Sequence, residues 1–442
     1  MDRVRGLAEP EYEPLDGSAE EDAETVHARP RSWARFSQLE YNIFFLLGVA
    51  MLWAWNMFLA AAPYFHSRFE SNEWAATHYQ SSILSVSTLT NLGTVYILAK
   101  VQKNVSYPWR ITLSLLLNCV IFTLLAFSTV VPSDISVRGY FAFLMLMVFG
   151  TSLATGMNQN GVFAFVSGFG REEYTQAIMA GQGVAGVLPC LVQIASVLAV
   201  PRKVNYDEPQ ASSPKSAFIY FLTATGVSIL TLLAFLYLLR HRPGLQAQTV
   251  ADDEDTLLVD RVPDKSVSLW TLFKKLWYLA LSVFVCFLVT MMVFPVYTSE
   301  IVSVNDPKLS RMYDPAVFIP LAFLFWNIGD LIGRFAVAIP KLSLSHRPWL
   351  AFVLAIARVG FTPLYLFSNI NGQGAIIQSD FFYLFVVQLL FGVSNGYLAS
   401  SCMMGASHWV SGEEREAAGG FMSMMLVGGL TAGSLLSFLV AS

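Results

Sequence analysis

The sequence predicts an all-α membrane protein of eleven transmembrane helices, six before a long internal connection and five after it. Three observations carry this. Of the 442 residues, 55% are hydrophobic and only 13% charged, a balance outside the range of soluble domains. Crossing about 30 Å of hydrocarbon takes about 20 residues at ~1.5 Å each, and eleven apolar runs reach that length. Between the sixth and seventh run lies a hydrophilic stretch carrying Asp252-Asp-Glu-Asp255.

The predicted spans are 41–62, 79–99, 110–131, 137–167, 175–200, 216–240, 273–298, 315–339, 348–368, 379–408 and 415–441. Residues 1–40 read as an acidic disordered tail and 241–268 as a flexible linker with little that could pack. They flank a six-helix bundle at 41–240 and precede a five-helix bundle at 269–442. The first run follows ten acidic residues and is too long for the apolar core of a cleaved signal peptide, so it is the first helix. In the fifth run, Gly181-Gln-Gly-Val-Ala-Gly186 matches the dinucleotide fingerprint letter for letter. That fingerprint needs a strand before it; inside an apolar helix the glycines mark a close helix crossing, with Gln182 as a polar contact. Phe294-Pro295 predicts a kink in the seventh run, since proline removes a helical hydrogen bond. Arg358 in the ninth is a costly charge without a partner in its own helix; Glu416 or a carbonyl could serve. Glu416 heads the eleventh run, where a carboxylate complements the helix N-terminus.

Lysines and arginines orient the chain. With the N-terminus inside, sixteen flank the inner side and seven the outer, which predicts a cytoplasmic N-terminus and an outer Ser442. Arg202, Lys203 and Lys215 run against the rule.

The net charge of −4 lies mostly in the tail and in 250–264, so no basic stripe suggests nucleic acid. All four cysteines sit in apolar runs without metal-ligand spacing. With no nucleophile elbow, H-E-x-x-H or phosphate loop, the chain reads as no enzyme and needs no cofactor.

The eighth run is the most informative. Asp330 and Arg334 lie four residues apart inside it, and each charge at a helix centre is unfavourable by roughly 2.5–3.5 kcal/mol. At 100° per residue, Phe323, Asn327, Asp330 and Arg334 share one arc, whereas Gly329 and Gly333 lie elsewhere on the helix. The competing reading is an ion pair that merely locks helices. Trp53-Ala-Trp-Asn56, the Thr88 and Asn91 pair, and Asn158-Gln-Asn160 add amides and rings on three further helices. One such amide is usually interhelical glue; several together suit a polar ligand with a flat ring.

These residues resemble the equilibrative nucleoside transporter family over essentially all eleven spans. The most specific segments are Asn327-Ile-Gly-Asp-Leu-Ile-Gly-Arg334, Tyr174-Thr-Gln-Ala-Ile-Met-Ala-Gly-Gln-Gly183, Ala357-Arg-Val-Gly-Phe-Thr-Pro-Leu364 and Ser394-Asn-Gly-Tyr-Leu398. Trp55-Asn56 is similar to the family's first-helix pair, with Ala54 where a proline is usual, and Glu416 with Ala418-Gly419 is similar to the start of its last helix. The resemblance implies a major-facilitator-like fold that moves nucleosides down their gradient by alternating access. Asp330 and Arg334 would then meet the ribose hydroxyls and Gln159 the base edge. Trp55, Thr88, Asn91, Phe294, Phe323 and Asn327 would complete the pocket, with Asn56 and Gln182 as further polar contacts. Arg110, Gly181, Arg358, Asn395 and Glu416 would gate or brace it.

Thr88 and Asn91 are more polar than in some animal members, which leaves nucleobases as cargo beside adenosine, uridine and similar nucleosides. The acidic tail and short outer loops suggest a fungal or other microbial member. Alternatives are proton coupling, organic-cation transport, or a membrane scaffold that transports nothing. A monomer in the lipid bilayer is expected, in the plasma membrane or a vacuolar or endolysosomal one, with Tyr12-Glu-Pro-Leu15 as a candidate sorting signal. The sequon Asn104-Val-Ser106 falls on the inside and should be unglycosylated.

Overall fold

The computed structural model describes residues 37–101, 106–130, 136–199, 214–241, 267–339 and 341–440. The acidic tail with its candidate sorting signal, nearly all of the 241–268 linker, Asn104, Arg202 and Lys203 lie outside the described residues. Among those described, eleven helices are long and apolar enough to cross a membrane.

In chain order the helices are α1 (Gln38–Ala60), α2 (Ala62–Phe69), α3 (Glu73–Lys100), α4 (Tyr107–Val130), α5 (Val137–Gly168), α6 (Glu172–Ala199) and α7 (Pro214–His241). After the linker come α8 (Leu269–Glu300), α9 (Pro315–Ala336), α10 (Pro348–Ala357), α11 (Phe361–Leu366), α12 (Leu390–Gly405) and α13 (Arg415–Val440). Several starts are written in short polar residues that cap the first turn: Asn72 accepts from the Ala75 N–H, Ser136 from Gly139, Ser268 from Trp270 and Asp314 from Ala316.

The expected spans recur with three refinements. The first helix begins at Gln38, and beyond a turn at Ala61 the chain continues as the short α2. The ninth span is not one helix: α10 and α11 are separated by a 3₁₀ turn at Arg358–Gly360. Pro363 has no N–H for the Val359 carbonyl four residues earlier, so one rung of the α-helical ladder is missing at this break. In the tenth span, Phe382–Leu389 winds as a π-helix before α12. By contrast α8 runs without interruption through Pro295.

Packing pairs α1 with α6, α3 and α4 with α5, α4 with α7, α8 with α13, and α9 with α12; α6 against α9 and α5 against α13 join the earlier helices to the later ones. Glycine allows the closest of these approaches. A Cβ on Gly396 would stand 1.9 Å from the Asp330 carbonyl oxygen, and one on Gly392 2.1 Å from that of Trp326. From the other side, a Cβ on Gly329 or Gly333 would stand 2.1 or 2.2 Å from the Leu389 or Val393 carbonyl oxygen. So α9 and α12 touch main chain to main chain. Gly181 plays the same part between α6 and α1, where a Cβ would stand 2.1 Å from the Phe45 carbonyl oxygen, and the dinucleotide fingerprint is a helix crossing.

Helix α6 is also tied to the later helices near both ends. Glu172 meets His408 Nε2 at 2.5 Å, just beyond α12. At the other end, Arg311 donates to the Leu198 and Val197 carbonyls at 3.0 and 2.8 Å. Outside the helices, Asp380 accepts from Val304 N, Ser303 Oγ and Asn305 Nδ2, stapling the loop after α8 to the approach to α12.

Candidate functional site

Close contact between α9 and α12 brings the eighth-span charges against a third polar side chain. Asp330 and Arg334 are 3% and 4% exposed, which would be costly without compensation. Arg334 Nε donates to Asp330 Oδ2 at 2.6 Å, and Asn395 Nδ2 donates to Asp330 Oδ1 at 2.7 Å. Arg334 Nη1 reaches across to α6, to the Met179 carbonyl at 2.9 Å and Gln182 Oε1 at 3.0 Å. Gln182 in turn points its Nε2 at Met51 Sδ of α1.

The network continues to Arg358 through Thr290, which the sequence did not mark. Thr290 Oγ1 lies 2.8 Å from Asn395 Oδ1, and Arg358 Nη2 donates to Thr290 Oγ1 at 2.9 Å. Arg358 is fully surrounded: Nη1 donates to the Cys286 carbonyl at 2.6 Å, Nε to Ser394 Oγ at 2.9 Å, and the guanidinium lies 4.4 Å from the Phe391 ring centre. Of the two partners expected for Arg358, the carbonyl is found and Glu416 is not, because the break in the ninth span turns the side chain toward α8 and α12. Glu416 instead sits against the end of α5, where a Cβ on Gly168 would meet its Oε1.

Beside the ion pair stands an aromatic group. The rings of Phe294 and Trp326 stack at 4.1 Å, and Phe323 meets Phe294 edge-on at 5.1 Å. Asn327 binds the Phe323 carbonyl at 2.8 Å and faces Cys190 Sγ at 3.6 Å, with its Oδ1 against Gly186. Phe323, Asn327, Asp330 and Arg334 thus lie together as the helical arc requires, and Gln182 and Phe294 join them.

The amides of the earlier helices have varied surroundings. Asn56 Nδ2 donates to the Ala185 carbonyl at 2.6 Å, the carbonyl that Pro189 cannot bond for want of an N–H. Trp55 is half-buried beside the cluster built on Phe58 and Phe122. On α3, Thr88 and Asn91 are half-buried, and among the described residues Asn91 Oδ1 is an acceptor with no partner, as is Asn158 Oδ1. Gln159 is 6% exposed. Asn160 Oδ1 accepts from Arg110 Nη1 at 2.8 Å, and Arg110 Nη2 caps the end of α3 through the Val101 carbonyl at 2.8 Å. Asn56, Arg110 and Asn160 brace helices, and among the described residues none of these groups bonds to the Asp330 network.

Against known proteins, residues 144–442 match the family described as nucleoside transporter. The chain belongs to that family. It is 31% identical to the nucleoside transporter FUN26 of Saccharomyces cerevisiae, over 91% of this chain and 84% of that one. It is 29% identical to equilibrative nucleoside transporter 1 of Rattus norvegicus, over 90% and 96%. Among solved structures, the major facilitator FucP in its outward conformation superposes with a TM-score of 0.52 at 14% identity, covering 92% of this chain and 96% of its own. This member of the nucleoside transporter family therefore has the major facilitator fold, with eleven membrane-long helices among its described residues, and it is not an enzyme.

Proposed function

We propose that this chain moves nucleosides across a lipid bilayer by facilitated diffusion with alternating access, and that Asp330 and Arg334 hold the ribose. The supporting observation is the buried pair itself. A carboxylate only accepts and a guanidinium only donates, which suits vicinal hydroxyls able to do both. Asp330 accepts one bond on each oxygen and keeps further lone pairs, and among the described residues nothing bonds Arg334 Nη2. Phe294, Phe323 and Trp326 supply flat apolar surface for a base. Trp55, Thr88, Asn91, Gln159 and Asn327 supply further rings and amides, and Asn56 and Gln182 hold α6 in place. The yeast and rat relatives are named for nucleosides, which supports the same cargo here.

Charge favours this reading over organic-cation transport. Asp330 carries one negative charge and Arg334 and Arg358 two positive ones within a single hydrogen-bonded network, so a cationic cargo would meet repulsion. We place the N-terminus in the cytoplasm from the lysine and arginine distribution, treat the six helices before the linker and the five after it as the rocking halves, and take the protein as a monomer of the plasma membrane or a vacuolar or endolysosomal one. Fluorescence localisation of the full chain distinguishes the membranes.

The test is uptake of labelled uridine and adenosine into proteoliposomes holding the purified chain. Arg334→Ala should insert normally and lose uptake of both. Because Arg334→Ala strands the buried Asp330, uptake is normalised to the folded protein in each preparation. Undiminished uptake per folded molecule would overturn the assignment.

A further inference from the structure

Asp330 does not stand alone at the end of its bond to Asn395; it ends a chain of hydrogen bonds whose direction is fixed from both sides. Arg358 can only donate, so at Thr290 the hydroxyl oxygen must be the acceptor. The Thr290 proton is then turned away from Arg358 and toward Asn395 Oδ1 at 2.8 Å, with the Cys286 carbonyl at 2.9 Å as its other neighbour. Ionised Asp330 can only accept, so Asn395 must offer it the NH₂ side of the amide. That leaves the amide oxygen facing Thr290. Every link points one way: Arg358 on the break in the ninth span, Thr290 on α8, Asn395 on α12, Asp330 on α9. Links of this kind polarise one another in a buried setting.

The backbone holds this chain rigidly. Gly392 and Gly396 bracket Asn395 and rest on the main chain of α9 around Asp330, so Asn395 cannot drift along α9. Thr290 Oγ1 at 2.8 Å is a nearer donor to the amide oxygen than Cys286 Sγ at 3.5 Å, while Asp330 holds the NH₂ end. A hydrophobic residue in its place would leave the amide held at the Asp330 end alone and loosen the angle at which its NH₂ meets the carboxylate.

We propose that Thr290 is a positioning residue for nucleoside binding: with Arg358 behind it, Thr290 sets the orientation of Asn395 and thereby which lone pairs of Asp330 are left for the ribose. The proposal rests on the reading that Asp330 holds the ribose, and it adds a determinant of ribose affinity that never touches the cargo.

The experiment compares uridine with 2′,3′-dideoxyuridine, which lacks the two hydroxyls, as substrates in proteoliposomes. In the wild type, uridine should have the lower KM. Thr290→Val keeps the shape and removes the hydroxyl; the KM for uridine should rise about five- to tenfold, the range for loss of one net hydrogen bond. The KM for dideoxyuridine and the maximal rate per folded molecule should stay within about twofold. Thr290→Ser should restore the uridine KM. Should Thr290→Val fail to insert, Thr290→Ala removes the same hydroxyl without added bulk and is read identically. The proposal is overturned if both KM values move together, if neither moves, or if Thr290→Ser does not rescue. A wild type that does not distinguish the two substrates would overturn the ribose assignment itself, and that failure is visible before any variant is made.

Discussion

At the scale of single residues, three buried charges share one network, and the balance between them constrains how transport can be driven. Neutralising Asp330 by a proton would leave Arg334 and Arg358 buried without that anion. Stranding a buried partner in this way costs roughly 3–5 kcal/mol. A proton-coupled cycle that used this carboxylate would have to meet that penalty on every turn. Uridine uptake into proteoliposomes should therefore be unchanged when an inward proton gradient is imposed at constant internal pH; a reproducible rise would require a coupled mechanism. Asp330 and Arg334 were legible in the sequence because a charge in an apolar run is an energetic anomaly. Thr290 and Cys286 were not. A hydroxyl or thiol in a helix can satisfy itself on its own backbone, and Thr290 has the Cys286 carbonyl within reach for this, so nothing in its spacing announces a partner on another helix. Arg358 was conspicuous for the same reason as the pair, yet its partners are carbonyl and hydroxyl oxygens, which no residue pattern encodes.

At the scale of helices, length and apolarity were enough to find all eleven spans, because both follow from the thickness of hydrocarbon. Hydropathy is blind to backbone geometry, and so the break at Arg358–Gly360 and the π-helical Phe382–Leu389 were read as continuous helix. Pro363 was the one local hint. The glycines divide by what they face, which gives a direct test. Gly396→Ala would drive a methyl group into the Asp330 carbonyl at 1.9 Å, and no flexible side chain is there to yield. Gly93→Ala in α3 meets nothing within 4 Å and gains about 1 kcal/mol of helix propensity. In detergent, thermal unfolding followed by intrinsic fluorescence should show Gly396→Ala several degrees less stable than the parent and Gly93→Ala equal or slightly more stable. Equal melting of the two would contradict the main-chain contact between α9 and α12.

For the whole molecule, α6 is the seam. It belongs to the helices before the linker, yet Glu172 near one end meets His408, Arg334 binds its Met179 carbonyl along the way, and Arg311 takes the Val197 and Leu198 carbonyls near the other end. Alternating access requires these ties to part in turn. Cysteine pairs at 172 with 408, and at 198 with 311, joined by a short cleavable bis-thiol reagent, should each stop uridine uptake, and cleavage of the bridge should restore it. Chains carrying one cysteine of each pair should be unaffected by the reagent. A bridged pair that leaves uptake intact would mean that its end of α6 stays closed throughout the cycle.

The glycine contact between α9 and α12 carries a mechanical consequence. Two helices whose backbones touch have no compliant layer of side chains between them, so one cannot slide or tilt without the other. The slab they form carries both Asp330 and Asn395, and the distance between those groups is therefore an invariant of the cycle. Whatever opens and shuts in this protein, it does so around a buried polar corner of fixed shape, and the give lies where side chains separate the helices, on the side of α6 that faces α9.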